Sequence, residues 1–278
     1  KNGNILWQDE IPDGRNRACS IGNYLYKVSD KDDNSQSTLF RYDIDKGIRE
    51  KVFTLHRGEF EPDHSPGLLM PVTWSNSSGD DLLIMGNRSF GWGTTGANRF
   101  DILAWNVTAD SMEWYRNLDG FSSTARPVID GDNVYFYGDR HAYCINPVNG
   151  ETRWKYFIGD GPEDDFNTAN IIIVKDKLIV KPDNRHMHAV DKETGTRIWL
   201  NEEVVSMPYM LTQRNDTIWL ANAGVFGIDA KTGEKVIDDW KGSRSGSWIF
   251  PVALHPTNGL IYTSDGDYLY CLNPKYMK

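Results

Sequence analysis

The sequence predicts an all-β chain: a six-bladed β-propeller of four-stranded antiparallel blades, its ring closed by pairing the N- and C-terminal strands in one blade. Three observations carry that prediction. The first is the phrase Tyr143-Cys144-Ile145-Asn146-Pro147-Val148-Asn149-Gly150-Glu151-Thr152-Arg153-Trp154. It reads as strand, tight turn, strand, because an apolar run meets Asn-Pro, a Gly closes the turn and a Trp follows four residues later. The second is recurrence. Asp191, Gly195 and Trp199 repeat the spacing of Asn146, Gly150 and Trp154; Asp229 and Gly233 repeat the first interval, with Ile237 in the aromatic position. Asn106 and Trp114 repeat the longer interval, with Asp110 in the Gly position, and Asp tolerates a left-handed backbone. The Asn/Asp markers at 43, 106, 146, 191, 229 and 273 are separated by 63, 40, 45, 38 and 44 residues, each room for one four-stranded blade and the first with an insertion. The third is the pair of chain ends. Tyr268-Leu269-Tyr270-Cys271-Leu272-Asn273-Pro274 begins the phrase without its Gly and Trp, whereas Lys1 to Trp7 supplies Gly3 and Trp7. Joining the two halves removes an open sheet edge.

Alternating apolar residues between polar clusters place the remaining strands. Blade one runs from about Arg17 through Asn23 to Val28 and Thr38 to Phe53, with a solvated tip at Asp30-Lys31-Asp32-Asp33-Asn34-Ser35. Blade two holds Leu68 to Trp74, Asp81 to Met85 and Phe100 to Trp105, and a Gly-rich loop is expected over Asn87 to Arg99. Blade three uses Pro127 to Ile129, Asn133 to Tyr137 and the phrase at Asn146; blade four uses Ile171 to Val174, Leu178 to Lys181 and Met187 to Trp199. Tyr209 to Thr212, Thr217 to Ala221 and Val225 to Ile237 form blade five. Blade six takes Pro251 to Leu254, Leu260 to Thr263 and Tyr268 to Leu272, and is completed by Ile5 to Trp7. No helix or linker interrupts the series, so residues 1–278 read as a single domain. The repeated Trp7, Trp114, Trp154 and Trp199 read as apolar wedges between blades.

The pattern of apolar strand, Asp/Asn, two residues, Thr/Asn-Gly and then Trp resembles the pyrroloquinoline-quinone-like repeat propellers. That superfamily contains quinoprotein dehydrogenases and the propeller lipoprotein of the outer-membrane β-barrel assembly machine. The resemblance implies a propeller and, on the lipoprotein side, a scaffold. It does not extend to the quinone site. The quinone enzymes typically have eight blades and adjacent cysteines over the cofactor, whereas Cys19, Cys144 and Cys271 are far apart in this sequence. No cofactor is expected, pyrroloquinoline quinone included.

Composition narrows the partners. A net charge of −9 and a pI near 5.2 argue against sequence-independent binding to nucleic acid or an anionic membrane, since both need a basic face. No apolar run approaches a membrane span of about 18 residues. The first residue is Lys1 rather than Met, so the start of the sequence says nothing about an export or lipid-attachment segment. The resemblance to the propeller lipoprotein implies an extracytoplasmic location, periplasm or cell surface, with a membrane tether through a removed N-terminal segment. Among the cysteines, small buried thiols are expected.

Candidate functional residues gather on one side of the expected ring. The marker turns are short and repetitive, so function is sought in the loops at the other end of the blades and in the crossings between blades. These supply Arg57, Glu59, Glu61, Asp63, His64, Arg88, Trp92, Arg126, Asp139, Arg140, His141, Arg185, His186, Arg244 and Trp248. Arg140-His141 and Arg185-His186 hold nearly equivalent positions in successive blades. With Arg126 they suit a carboxylate or sulfate held by forked, charge-assisted hydrogen bonds, while Arg88, Trp92 and Trp248 extend the ligand-binding set. No metal site is expected: His186 and His188 share a strand face without a third ligand at a recognisable spacing, and Asp160 to Asp165 reads as a flexible acidic crossing.

Two functions lead, and a quinone-dependent dehydrogenase, which the superfamily resemblance alone suggests, ranks third. One is a non-catalytic scaffold outside the cytoplasm holding a protein or saccharide on its loop face, consistent with the absence of a triad, phosphate loop or metal motif. The other is a lyase or hydrolase of an acidic sugar, with Arg126, Arg140 and Arg185 on the carboxylate and His64 or His141 as base. Turnover by the pure chain separates them.

Overall fold

The structure is a computed structural model that describes residues 5–9, 18–30, 35–59, 64–91, 99–118, 126–138, 140–158, 169–182, 186–204, 210–221, 225–240, 252–264 and 268–276. The chain divides into two compact units, Lys1–Arg153 and Trp154–Lys278. Among the described residues all regular structure is antiparallel β apart from one 3-10 turn at Pro274–Tyr276.

The first sheet contains β1 (Ala18–Ile21), β2 (Tyr24–Asp30), β3 (Gln36–Asp43) and β4 (Arg49–His56), hydrogen-bonded in chain order. The second contains β5 (His64–Ser65), β6 (Val72–Ser75), β7 (Asp81–Gly91), β8 (Arg99–Asn106) and β9 (Ser111–Asn117); β5 and β6 both pair with β7. The third contains β10 (Val128–Asp130), β11 (Asn133–Gly138), β12 (His141–Ile145) and β13 (Thr152–Phe157), in the last of which the division between units falls.

In the second unit, β14 (Ala169–Val174), β15 (Lys177–Pro182), β16 (Met187–Asp191) and β17 (Arg197–Asn201) form the fourth sheet in chain order. The fifth is β18 (Leu211–Arg214), β19 (Thr217–Ala221), β20 (Val225–Asp229) and β21 (Lys235–Trp240). The sixth has three described strands, β22 (Ala253–Leu254), β23 (Ile261–Ser264) and β24 (Leu269–Leu272).

The marker residue builds each turn. Its side-chain oxygen accepts backbone N–H groups two or three residues ahead: Asp43 from Asp45 and Lys46, Asn106 from Ala109, Asn146 from Val148, Asp191 from Glu193 and Thr194, Asp229 from Lys231 and Thr232, and Asn273 from Lys275. Asp and Asn favour this local bond, which is why they open turns. Four residues on, the N–H of Gly47, Gly150, Gly195 or Gly233 returns to the marker carbonyl at 2.8 Å. Asp110 replaces that glycine at φ 53°, as the spacing implied.

The tryptophans lock one sheet to the next. Trp114 Nε1 donates to Pro147 O at 2.8 Å, Trp154 to Lys192 O at 3.0 Å, and Trp199 to Ala230 O at 3.0 Å. Trp7 donates to Ile44 O at 2.7 Å in the same relation to the first marker turn. Each acceptor is the residue after a marker. The ring beneath lies on the turn glycine: a Cβ on Gly195, whose φ is 71°, would stand 2.7 Å from Trp154. Only glycine permits both that backbone and that approach. The second sheet is covered on both faces within the first unit. Leu68, Leu83, Met85 and Leu103 pack with Tyr26, Leu39 and Leu55 on one side, and Ile84, Phe100 and Ile102 pack with Val134, Phe136 and Tyr143 on the other. In the second unit Ile179, Met187 and Trp199 pack with Leu211, Ile218 and Ile228, and Trp219 and Val225 with Val252 and Ile261.

Several expectations change. The loop expected over Asn87 to Arg99 begins later, because β7 continues to Gly91 and pairs Asn87, Arg88 and Ser89 with Asp101, Phe100 and Arg99. Asp30 is not a solvated tip; it is buried at the end of β2 and accepts a hydrogen bond from Ser37 Oγ. Only Cys144 is buried among the three free cysteines, with Cys19 half-buried and Cys271 exposed. Ile5 to Trp7 are not in a described strand, and Ile5, Leu6 and Leu269 are exposed.

Candidate ligand-binding ends of the sheets

In a four-stranded antiparallel meander the first and third turns lie at one end and the second at the other. The marker turns therefore share an end with the β1–β2, β10–β11, β14–β15 and β18–β19 turns. The opposite end of each sheet receives the middle turn and the crossings to and from the sheet, as the sequence implied.

That placement brings five sequence-predicted residues to the corresponding ends of their sheets in the first unit. His64 opens β5 and pairs with Gly91 at the far end of β7; Arg88 lies three residues before Gly91. Arg126 is exposed two residues before β10. Arg140 takes φ 60° in the tight β11–β12 turn, a left-handed conformation uncommon for an arginine. His141 follows as the first residue of β12, half-buried, its ring 5.8 Å from that of Tyr143. In the second unit His186 is half-buried immediately before β16. Trp92, Arg185 and Trp248 lie outside the described residues, as do Asp139, Glu61, Asp63, Arg244 and Asp160 to Asp165.

Arg126 acts beyond its own sheet. Burial pushes the Cys19 thiol on β1 up to about 11, and the Arg126 guanidinium partly opposes that rise. His188, expected to share a face with His186, is instead buried, its Nδ1 3.1 Å from Tyr156 Oη. It belongs to the packing of the second unit.

The sequence reading missed Phe100 and Gly138. Phe100 is 1% exposed, and a Cβ built on Gly138 would lie 2.7 Å from its ring, while one on Gly86 would lie 2.9 Å away. The ring is clasped between two glycine-bearing strands. Glycines inside otherwise apolar strands signal such a close approach. Among the described residues no three His, Cys, Asp or Glu come together in a metal-binding group, and no helix is long and apolar enough to cross a membrane.

Comparison with known proteins agrees with the repeat. Residues 102–238, just under half the chain, match a family model described as outer membrane protein assembly factor BamB. The crystal structure of BamB from Moraxella catarrhalis superposes with a TM-score of 0.57 at 14% identity, covering 97% of this chain and 88% of that one. The computationally designed protein Ika8 superposes with a TM-score of 0.50 at 11% identity, over 92% of this chain and 95% of the other. No curated protein matches the sequence. Together with the repeated Asx turn, glycine and tryptophan, the family match over residues 102–238 and the shared fold support the resemblance of this chain to the pyrroloquinoline-quinone-like repeat β-propellers.

Proposed function

We propose that this chain is a non-catalytic scaffold outside the cytoplasm that holds a protein partner on the ends of its sheets opposite the marker turns. The observation that carries this reading is the match of residues 102–238 to an outer membrane assembly factor, in repeats whose recurring residues are committed to turns and inter-sheet docking. A one-residue change at the variable ends leaves that framework intact, which suits a surface that specifies a partner. The tested form is the full chain carrying a photo-crosslinker at Arg126, exposed to the native envelope. The expected result is one discrete protein adduct, with no turnover of acidic oligosaccharides by the pure chain. Turnover without an adduct overturns the proposal in favour of an enzyme.

The same reading proposes one propeller domain of six blades in which Ile5 to Trp7 provides the outer strand for β24. Two features support it: Trp7 meets the first marker turn as Trp114, Trp154 and Trp199 meet theirs, and the sixth sheet has three described strands. No quinone takes part in this function.

A further inference from the structure

The β22–β23 hairpin repeats the marker turn at a place where no marker was expected. His255-Pro256-Thr257-Asn258-Gly259 follows the order of Asn146-Pro147-Val148-Asn149-Gly150, with histidine in the marker position. The two turns are built alike. His255 N donates to Leu260 O at 2.9 Å, as Asn146 N does to Glu151 O at 2.9 Å. Leu260 N donates to Asn258 Oδ1 at 3.0 Å, as Glu151 N does to Asn149 Oδ1 at 3.0 Å. Gly259 and Gly150 take φ of 79° and 72°. Where Asn146 Oδ1 accepts the N–H of Val148, His255 Nδ1 accepts those of Thr257 at 3.3 Å and Asn258 at 3.2 Å.

Histidine changes what such a turn responds to. An amide oxygen accepts at every pH, and a marker carboxylate accepts until it is protonated below about pH 4. An imidazole nitrogen accepts only while the ring is neutral. With two N–H groups aimed at Nδ1, the ring hydrogen is on Nε2; protonation puts a second hydrogen on Nδ1, facing both donors, and the turn loses its acceptor. The neighbouring groups do not reverse this. From β18, Arg214 Nη1 donates to His255 O at 2.7 Å and lies 3.7 Å from where a Gly259 Cβ would be. From β23, the Tyr262 ring stands 6.3 Å from the imidazole, with Cys271 of β24 opposite Tyr262. None of these groups is a carboxylate, and Arg214 is a second cation. Little else holds β22 in place: it pairs with β23 only through Ala253–Tyr262 and Leu254–Ile261. Beside it, Val252 and Ile261 pack with Trp219 and Val225 of the fifth sheet.

We infer that His255 makes the β22–β23 turn a proton-operated latch. Neutral, the ring holds β22 in the sixth sheet and the turn carbonyl against Arg214; protonated, it lets the turn open. The neutral form is the one the closed turn favours, so the latch is shut at pH 8 and released as the pH falls toward 5, the range in which histidine changes charge. It stands on the second unit alone and is independent of the scaffold reading.

The test follows the full chain by NMR from pH 8 to pH 5, with amide hydrogen exchange read as protection factors so that its intrinsic pH dependence cancels. The His255 N–H is expected to lose protection by roughly tenfold or more, the scale of a turn's hydrogen bonding. The Asn146 N–H, its counterpart in the third sheet, should stay level. His255→Asn restores a marker that does not titrate, and the amide at position 255 should then stay level as well. The nitrogen shifts of the His255 ring give a readout that needs no variant, with the Nε2–H form expected at pH 8. The inference is overturned by the Nδ1–H form at pH 8, by protection at His255 that stays level down to pH 5, or by an equal loss at Asn146. A folded His255→Asn chain that loses protection as the parent does would overturn it too.

Discussion

The marker aspartates show how much a single side chain contributes to this fold and when it stops contributing. Backbone N–H donors in the turn, Thr194 and Thr232 foremost, hold the carboxyls of Asp191 and Asp229 below their ordinary value of 3.8, and the Lys46 N–H does the same for Asp43. A carboxyl whose folded value is depressed adds stability that is complete above its unfolded value and disappears as the pH falls through the folded one. Thermal melts should therefore be flat above about pH 4 on this account and fall below it. Asn serves as marker in three other turns, so replacing Asp43, Asp191 and Asp229 together by Asn should keep the fold and reduce that acid-dependent fall; an unaltered fall locates the acid sensitivity elsewhere. Cys19 and Cys271 give a second prediction. With its thiol pushed up to about 11, Cys19 carries little thiolate at pH 8, whereas Cys271 is exposed. A thiol reagent at pH 8 should label Cys271 first, and mass mapping that finds Cys19 first contradicts the burial assigned to it.

Between sheets the decisive element is a tryptophan laid on a glycine turn. Trp199→Ala removes a buried indole packed on Gly233 and should cost about 3–5 kcal/mol in denaturant unfolding. Trp199→Phe retains most of the packing and loses the bond to Ala230 O, for a cost nearer 1 kcal/mol from that bond. Gly195→Ala meets both a φ of 71° and the Trp154 ring, and should destabilise by at least the roughly 1–2 kcal/mol of a left-handed alanine. This layer was legible in the sequence because Asp/Asn, Gly and Trp have local reasons for their spacing. The far ends were not. Arg88 reads as loop from composition since Gly86 precedes it and glycines follow, yet the ladder with Phe100 extends β7 past it, and ladder length is set by the partner strand. Phe100 itself looks like any core residue; its clasp between Gly86 and Gly138 joins strands whose sequence separation no periodicity reveals.

For the molecule as a whole, the proposed single domain and closed ring make two demands. Calorimetry should give one transition with equal calorimetric and van't Hoff enthalpies, and two separable transitions would instead assign independent folding to Lys1–Arg153 and Trp154–Lys278. Deleting residues 1–9 should expose the outer edge of β24 and speed hydrogen exchange of the Leu269 to Leu272 amides by roughly tenfold or more for each 1.4 kcal/mol lost. Exchange that is unchanged by the deletion rules out pairing of those strands.

The docking of each indole onto the following turn also has a direction, always from an earlier stretch of chain to a later one. A lineage built this way can duplicate or drop a whole unit between one tryptophan and the next glycine and still present matching surfaces at the splice. A chain with one such unit more or fewer would keep the same indole-on-turn contact at every joint.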